Sequence, residues 1–494
     1  MSTTGGTSRS LAQITIGLVG FLFFLELTSG VLQGYYVPLV DHLVRYLGIT
    51  HADFNWFEAG QLLLSALSVP VLAKLGDLIG HKRVLLISTV LTGVATWALV
   101  FTGDFWSYLV AWTFQGFYSV WLPLEVALIF DRGRRSNTGV STTRRVAGLL
   151  VVALEIGAIA GALGGSQIFK ATGQDVQLTL VAPAVMVTLA FFAILWGVPE
   201  SERSTEKRSL DVRGFGFLAI SLLLVMSGLT FLRLNGPGTW WVWAILAVGL
   251  LSLIPFGRLM LRTEDPAIDM RVLGRPTMWP VQVTAGLFGI SVLGAQFPLA
   301  AFAATDPAVT STGDGDPGYG LGLEDTSIVI GIYLLSLVIG AIVFSAVSRR
   351  MQPRRVLIIA SALVAVGYFA LIPFHADVVQ VLACIIVAGA GSGALVAALP
   401  AAAAAAAPPG RTGIAAGLTN TTKTLGGAFA SAVFAVALHT GAVEGAVESS
   451  LTGYYIVWAV CGGGALVATL LLFFVPKVAF ADADPEFSEV SPSA

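Results

Sequence analysis

The sequence predicts an all-α integral membrane protein, and three observations carry this prediction. Of its 494 residues, 56% are hydrophobic and only 11% are charged, whereas about 25% are charged in an average soluble protein. The apolar residues form fourteen runs, each near the ~20 residues that a helix needs to cross a bilayer. The basic residues between the runs are concentrated in alternate loops, as expected for cytoplasmic loops.

The predicted spans follow one another with short connections. They cover residues 14–40, 56–75, 84–102, 105–130, 146–169, 178–198, 214–232, 240–261, 278–303, 327–347, 356–374, 378–406, 412–438 and 454–475. The first run is too long for the core of a signal peptide, so we expect it to remain as a membrane helix. Twelve spans are the alternative if two runs are misread, and the weakest run is the one that ends in the alanines at 401–407.

The charge pattern also predicts the orientation. With the N-terminus in the cytoplasm, all but three of the 27 lysines and arginines lie on or towards the inner side; the exceptions are Arg45, Lys170 and Arg233. The loop 304–326 carries five acids and no base, which indicates an external loop. A missed helix would swap the faces of all later loops. We therefore expect an even number of spans, both termini in the cytoplasm, and a multi-pass protein of the cell membrane.

Several function classes are disfavoured by composition and motifs. The net charge is only −2, and no basic stripe with exposed aromatics is present, so we expect no nucleic-acid partner. The two cysteines lie far apart in apolar runs and the five histidines are scattered, so we expect no metal site. The sequence has neither a phosphate-binding loop nor a hydrolase nucleophile motif. We expect no cofactor, no catalytic residues and no enzymatic activity.

One charged turn carries a family resemblance. Residues 73–84, AKLGDLIGHKRV, resemble the signature loop of the major facilitator superfamily, which joins the second and third membrane helices of these secondary transporters. Asp77, Gly80, Lys82 and Arg83 stand at the family's spacing, while alanine at 73 and leucine at 78 replace its usual glycine and arginine. We expect Asp77 to accept hydrogen bonds or to face a helix N-terminus of the opposite half, where the dipole favours an anion. The resemblance implies that such contacts stabilise the outward-facing conformation, so that the loop is part of a conformational gate. The alternative is a tight basic turn that only follows the tendency of basic loops to stay in the cytoplasm, called the charge rule below.

Two further segments, 210–214 and 411–427, resemble the fourteen-helix drug:proton antiporter family of that superfamily. This resemblance implies a major facilitator fold with two six-helix halves, at 14–198 and 278–476. Two extra helices would lie at 214–261, after a charged cytoplasmic linker at 199–213. We expect a flexible cytoplasmic N-terminus at 1–13 and a disordered acidic tail at 477–494.

Three glutamates that lie well away from the ends of predicted spans are candidates for proton coupling. A charged side chain at the bilayer centre costs about 2.5 to 3.5 kcal/mol on insertion scales, so an intramembrane acid is a functional candidate by default. Glu26 lies near the middle of the first span, and Glu125 and Glu155 lie in the inner halves of the fourth and fifth spans. The alternative for each is a protonated or hydrogen-bonded side chain that only fixes packing.

Polar and aromatic residues near these acids are candidates for a substrate cavity. Ser29 and Gln33 share a helix face with Glu26, which predicts a polar stripe that faces a cavity. Gln115 resembles part of the family's fourth-helix motif, with tryptophan at 112 in place of its arginine. The full set is Ser29, Gln33, Tyr36, Trp112, Gln115, Tyr118 and Trp121.

Two other features have open interpretations. The glycine-rich segment 157–165 resembles the fifth-helix motif of antiporters, but small residues at this spacing also simply permit close helix packing. Lys423 lies about eleven residues inside the thirteenth span. It is expected to belong to the gate by pairing across the halves, to meet an anionic substrate group, or to lie on a solvated helix end.

The function that these expectations favour is proton-coupled export, by antiport, of small lipophilic organic compounds or drugs through alternating access. Its partners would be a small-molecule substrate, protons and the lipid bilayer, and the protein would act as a monomer. The alternatives are a proton-coupled uptake symporter for an organic nutrient and a membrane sensor that does not transport.

Overall fold

The structure is a computed structural model, and it describes residues 16–135, 140–200, 211–264, 266, 268–311, 317–347, 351, 353–406, 412–443 and 446–474. Every regular element in these ranges is helical, as the sequence predicts. The predicted flexible N-terminus and acidic tail, and residues 201–210 of the charged linker, lie outside the described residues.

The first part of the chain forms eight α-helices. They are α1 (Ile16–Gly34), α2 (Val40–Leu47), α3 (His51–Ile79), α4 (His81–Phe101), α5 (Phe105–Gln115), α6 (Trp121–Arg135), α7 (Val140–Ala171) and α8 (Val176–Gly197). Short 3-10 helices at Val37–Leu39 and Gly116–Val120 join α1 to α2 and α5 to α6.

The remainder forms eleven α-helices within the described ranges. They are α9 (Val212–Asn235), α10 (Trp240–Arg262), α11 (Met270–Leu273), α12 (Trp279–Val292), α13 (Gln296–Ala304), α14 (Pro307–Thr310), α15 (Ser327–Val347), α16 (Pro353–Leu371), α17 (Val378–Ala406), α18 (Thr412–His439) and α19 (Leu451–Phe474). The short α11 and α14 lie in connections.

Thirteen segments of the described chain are long and apolar enough to cross a membrane. The other predicted span, 105–130, is present but broken into α5, a 3-10 helix and α6. The break has a local cause. The Ser65 hydroxyl of α3 donates to the Gly116 carbonyl at 3.0 Å, and Pro123 lacks the N–H that would continue the helical hydrogen bonding. The chain is therefore a multi-pass membrane protein.

The charged turn at 73–84 is almost entirely helical, which corrects the expectation of a loop. Helix α3 continues to Ile79 and α4 begins at His81, so Gly80 alone connects them. Gly80 has φ +106° and ψ 136°, a backbone conformation that only glycine adopts readily. Residues 73–84 therefore form a helical hairpin, called the charged hairpin below.

The same helix pairs recur in both halves of the bundle. Helix α1 packs on α7 as α12 packs on α18, and α4 packs on α8 as α16 packs on α19. Glycines make both first pairs close. A Cβ at Gly157 would overlap the Leu27 carbonyl, and one at Gly289 would overlap the Lys423 carbonyl. The small-residue segment 157–165 therefore serves close packing, one of the two interpretations of its sequence.

Helices α9 and α10 pair with each other, and α9 lies against the contact between α3 of the first half and α18 of the second. Leu222 and Phe256 from this pair share a core cluster with Leu63 of α3 and Ala428 of α18. The extra helices are thus packed onto the contact between the halves.

Candidate functional site

Glu26 of α1 and Glu125 of α6 form a fully buried pair of acids. Both side chains have no exposed surface, and their carboxyl groups face each other closely enough to hydrogen-bond once one of them carries a proton. Without that proton, none of the four carboxyl oxygens has a partner among the described residues. Two ionised carboxylates would leave two unpaired charges in an apolar core. The geometry therefore favours at least one proton on the pair.

The polar stripe beside Glu26 is largely covered by α7 in this structure. One turn along, Gly30 lies against the backbone of Leu154 and Ala158 on α7, and a Cβ there would overlap the Leu154 carbonyl. Ser29 is also buried, at 4% exposure. This face of α1 is covered because its glycine lets α7 approach closely. Gln33 is only partly buried.

Gln115 links three helices of the first half and the turn that follows α1. Its amide nitrogen donates to the Tyr36 hydroxyl at 2.8 Å and to the Thr96 hydroxyl at 3.2 Å. Its amide oxygen accepts from Gln61 at 3.1 Å. Gln115 is completely buried, so these bonds satisfy an amide that would otherwise be costly to bury. This residue, called the Gln115 hub below, joins α3, α4, α5 and the turn after α1 at one point.

Aromatic rings pack around this hub. The ring of Trp112 lies edge-on to Tyr36 at 4.7 Å and to Phe54 at 5.3 Å. It also meets Phe297 of the second half at 6.0 Å. Tyr118 and Trp121 are buried on the next turns of the same membrane segment. Of the predicted cavity residues, only Gln33 is more than marginally exposed; the others are packed in the core.

Glu155 and Lys423 differ from the buried acid pair. Glu155 lies on α7 of the first half and Lys423 on α18 of the second, and both are only partly buried. They interact electrostatically across the halves. No hydrogen bond or ion pair within 4 Å joins them to each other in the described structure. The three candidate acids are therefore not equivalent: two are sealed together, and the third has an opposite charge nearby.

The sequence interpretation missed a fourth intramembrane acid, Glu58. It is 8% exposed on α3 and lies within electrostatic range of Tyr118. The predicted span began at residue 56, which put Glu58 at the membrane rim, but α3 begins at His51. A signal was present. Thr50 and Asp53 form a capping box at the start of α3, so Glu58 lies two turns inside the helix.

The residues of the charged hairpin contact their own half. Lys82 Nζ donates to the Leu195 carbonyl at the end of α8, at 2.9 Å. Arg83 and Glu200 are both about half exposed and lie 3.8 Å apart. Such contacts tie the hairpin to the start of the linker. The side chain of Asp77 lies outside the described residues.

The opposite end of the bundle, predicted to face outside and called the outer end below, is closed by contacts between the halves. Lys170 Nζ lies 2.6 Å from an oxygen of Asp325, and a guanidinium nitrogen of Arg45 lies 3.3 Å from Glu448. The Thr326 hydroxyl donates to the Pro38 carbonyl at 3.2 Å. Two of the three basic residues that the charge rule left outside are thus held in cross-half ion pairs.

No group of three or more metal-ligating side chains occurs among the described residues. Cys384 and Cys461 are free and buried. The buried polar side chains of the described bundle include carboxyls, amides and hydroxyls, which suit proton exchange and hydrogen bonding to an organic molecule.

Sequence relatives are transporters. The chain is 26% identical over 424 residues to the cephamycin export protein CmcT of Amycolatopsis lactamdurans, covering 83% of this chain and 82% of that protein. It is 23% identical to a uridine/deoxyuridine transporter of Lactococcus lactis subsp. cremoris, covering 65% of this chain and 64% of that protein. It is 26% identical to the MFS-type transporter YwoD of Bacillus subtilis over 48% of this chain; the match spans about half of that relative, 51%.

Solved structures share the fold. A peptide transporter POT in complex with sulfate superimposes with a TM-score of 0.66 at 16% identity, covering 94% of this chain and 96% of that chain. The family model of the Major Facilitator Superfamily matches residues 21–431 and 287–492. This match covers most of the membrane region, in agreement with the helical hairpin at Gly80 and the repeated helix pairs. The chain belongs to the Major Facilitator Superfamily.

Proposed function

We propose that this transporter is a proton-coupled exporter that exchanges protons for small organic compounds by alternating access. The observation that carries the proposal is the Glu26–Glu125 pair, which is fully buried and whose oxygens have no donor among the described residues except a proton shared between the two carboxyls. A proton held there is released only when a conformational change brings water to the pair. The pair thus has the properties of a coupling site.

Alternating access is supported by the contacts at the outer end. Two ion pairs, Lys170–Asp325 and Arg45–Glu448, join the halves there. They must break before the outer end opens. A substrate and a proton would then reach the space between the halves from opposite sides in turn, near the midplane.

The direction of transport is proposed from the relatives. CmcT is named as an export protein and aligns over most of both chains. We propose the same direction here, for a protein of the cell membrane with both termini in the cytoplasm, acting as a monomer without enzymatic activity. The two proposed six-helix halves are 14–198 and 278–476, with the conformational gate at Asp77, Gly80, Lys82, Arg83 and Lys423.

The test is substrate-dependent proton movement in proteoliposomes that contain a pH-sensitive dye, measured across a panel of organic compounds. In vesicles with an imposed pH gradient, the wild type should move protons when a transported compound is added. Glu26→Gln should abolish that movement, because an amide cannot release the proton. Glu324→Gln removes one carboxylate from the exposed outer loop and should leave coupling unchanged. Coupled transport at the wild-type rate in Glu26→Gln would disprove the assignment.

Uptake is the second candidate, and one observation favours it: a relative is named as a uridine/deoxyuridine transporter. The same vesicles separate the two. In an exporter the proton and the compound move in opposite directions, whereas in an uptake symporter they move in the same direction. If proton movement has the same sign as uridine uptake, export is the wrong choice.

A further inference from the structure

We infer that Glu155 and Lys423 form the two poles of a substrate site between the halves, which selects amphoteric compounds, those that carry both an ammonium and a carboxylate. This inference rests on the proposed transport function and gives it a substrate class. It replaces the simpler expectation of an apolar cargo.

The first step is the position of the two charges. Glu155 lies on α7 and Lys423 on α18, so one pole belongs to each half of the transporter. Helix α7 also packs on α15, and α18 packs on α12 and α3. A ligand that touches both charges therefore bridges the two halves. This is the requirement for a substrate that is exchanged by their relative movement.

The second step is the absence of a close partner for either charge in the described structure. Both side chains are only partly buried, and neither has a hydrogen bond or ion pair within 4 Å among the described residues. They interact at longer range. Two opposite charges, one on each half and each without a direct partner, are incompletely satisfied. A molecule with complementary charges can satisfy both of them at once.

The third step is the contrast with the other acids. Glu26 and Glu125 are fully buried beside each other, so a ligand has no access to them in this structure. A neutral, lipophilic compound placed between Glu155 and Lys423 would desolvate both charges without replacing their water. A compound with only one charge would leave the opposite pole unpaired. The geometry therefore disfavours both kinds of ligand relative to an amphoteric one.

A hydroxyl adds a polar contact next to the acidic pole. Tyr333 of α15 is 1% exposed and lies within electrostatic range of Glu155. Tyr368 lies close to Tyr333 and donates its hydroxyl to the Ser291 carbonyl at 2.9 Å. The second half thus supplies both the basic pole and a neutral hydroxyl near the acidic one. A ligand ammonium beside Glu155 would then have a hydroxyl oxygen close by as a further acceptor.

The test uses one scaffold in three charge forms: ampicillin, its methyl ester, which is only cationic, and its N-acetyl derivative, which is only anionic. Binding to the full-length detergent-solubilised protein is measured by the ligand-induced rise in unfolding temperature, and transport is measured in proteoliposomes. The wild type should bind ampicillin at least tenfold more tightly than either derivative. Equal binding of all three forms, or binding of none, would overturn the inference.

Two variants test each pole separately. Lys423→Gln should lose the preference for ampicillin over the methyl ester, because glutamine has no positive charge to pair with the carboxylate of the ligand. Glu155→Gln should lose the preference over the N-acetyl derivative. Glu324→Gln and Arg213→Gln make the same charge changes at exposed positions, and both should keep the wild-type order. Unchanged selectivity in the two pole variants would reject the site even if the protein transports.

Failure of this inference is distinguishable from failure of the proposed function. If Lys423→Gln is too unstable to purify, the exchanged double variant Glu155→Lys with Lys423→Glu keeps both charges and should restore the preference for ampicillin. Coupling is measured separately through the Glu26→Gln vesicles. Selective ampicillin transport without proton movement would support the bipolar site and reject proton coupling. Proton movement driven by neutral compounds alone would support proton coupling and reject the bipolar site.

Discussion

Lys170, at the outer end of α7, holds its Nζ 2.6 Å from a carboxylate oxygen of Asp325, which lies just before α15 in the other half. The two residues are 155 positions apart in sequence. Their side chains remain 53% and 19% exposed, so the pair is a surface ion pair and not a buried one. It nevertheless joins two bodies that must separate for the outer end to open. A small change in the free energy of this contact therefore directly changes the ratio of closed to outward-open molecules.

We expect Lys170→Gln to raise the population of the outward-open state by up to about fivefold, since an exposed ion pair contributes about 0 to 1 kcal/mol. Spin labels on exposed positions 171 and 309, one in each half, report the opening as a change in their distance distribution. The same labels in Arg213→Gln, which removes one positive charge at another exposed position, are the control. An unchanged distribution in Lys170→Gln would show that the pair does not hold the outer end.

The Lys170–Asp325 pair should be insensitive to pH between about 5 and 8. Partial burial would raise the pKa of Asp325, but hydrogen bonds from Lys170 and Ser327 outweigh it and lower the pKa to about 2. A carboxyl whose pKa is lowered in the closed state stabilises that state fully above its ordinary pKa of 3.8, and the stabilisation is lost as pH falls towards 2. The label distances should therefore not change at this pair until the pH is below about 4. A change centred between pH 5 and 7 that disappears in Asp325→Asn would contradict this.

Salt should loosen the outer end. The Debye length falls from about 10 Å at 0.1 M to about 3 Å at 1 M salt, so exposed pairs are screened. Wild-type protein should show a larger outward-open fraction at 1 M than at 0.1 M sodium chloride. A variant that lacks both Lys170 and Arg45 should show little further response, because both cross-half ion pairs are already removed. An equal response in wild type and variant would show that salt acts on contacts other than these two ion pairs.

Close packing of α1 on α7 should be sensitive to a single methyl group. A Cβ at Gly157 would overlap the Leu27 carbonyl, whereas a Cβ at Gly164 meets nothing within 4 Å. We expect Gly157→Ala to destabilise the protein by about 1 to 3 kcal/mol and to lower its unfolding temperature. Gly164→Ala on the same helix should have almost no effect. Similar losses in both variants would mean that helix propensity, not packing, governs this segment.

Much of the fold could be predicted from the sequence because membrane helices are defined by local composition. The number of crossings follows from runs of about 20 apolar residues. The break at Gly116 was not predicted. Its carbonyl is bound by Ser65 of another helix, and that contact depends on tertiary packing. Hydropathy also failed at Glu58, because a polar, capped helix start at Thr50 is not apolar enough to be counted.

The candidate site was predictable as a set of residue types but not as an arrangement. Glu26, Glu125 and Glu155 are equivalent in sequence, since each is an acid inside an apolar run. Only the fold places Glu26 against Glu125 and leaves Glu155 within range of Lys423. The same limit applies to the outer ion pairs. Arg45 and Lys170 were exceptions to the charge rule, and their partners Glu448 and Asp325 lie too far along the chain for spacing to indicate them.

The Gln115 hub gives a prediction that separates a structural role from a transport role. Its amide donates to the Tyr36 hydroxyl at 2.8 Å inside a fully buried network. Gln115→Leu keeps most of the volume but leaves that hydroxyl unpaired, which costs about 1 to 3 kcal/mol. Tyr36→Phe alone should cost about 1 kcal/mol. Added to Gln115→Leu, Tyr36→Phe should cost nearly nothing, because the hydroxyl it removes has already lost its partner.

A double-mutant cycle on the unfolding temperature in detergent measures this coupling. The exposed Gln177 of α8, changed to leucine, is the control and should be additive with Tyr36→Phe. If Gln115→Leu and Tyr36→Phe are also additive, the 2.8 Å hydrogen bond does not stabilise the folded protein. A cycle that shows coupling in stability, together with unchanged proton-coupled transport in Gln115→Leu, would assign the hub to the scaffold and leave the coupling with Glu26 and Glu125.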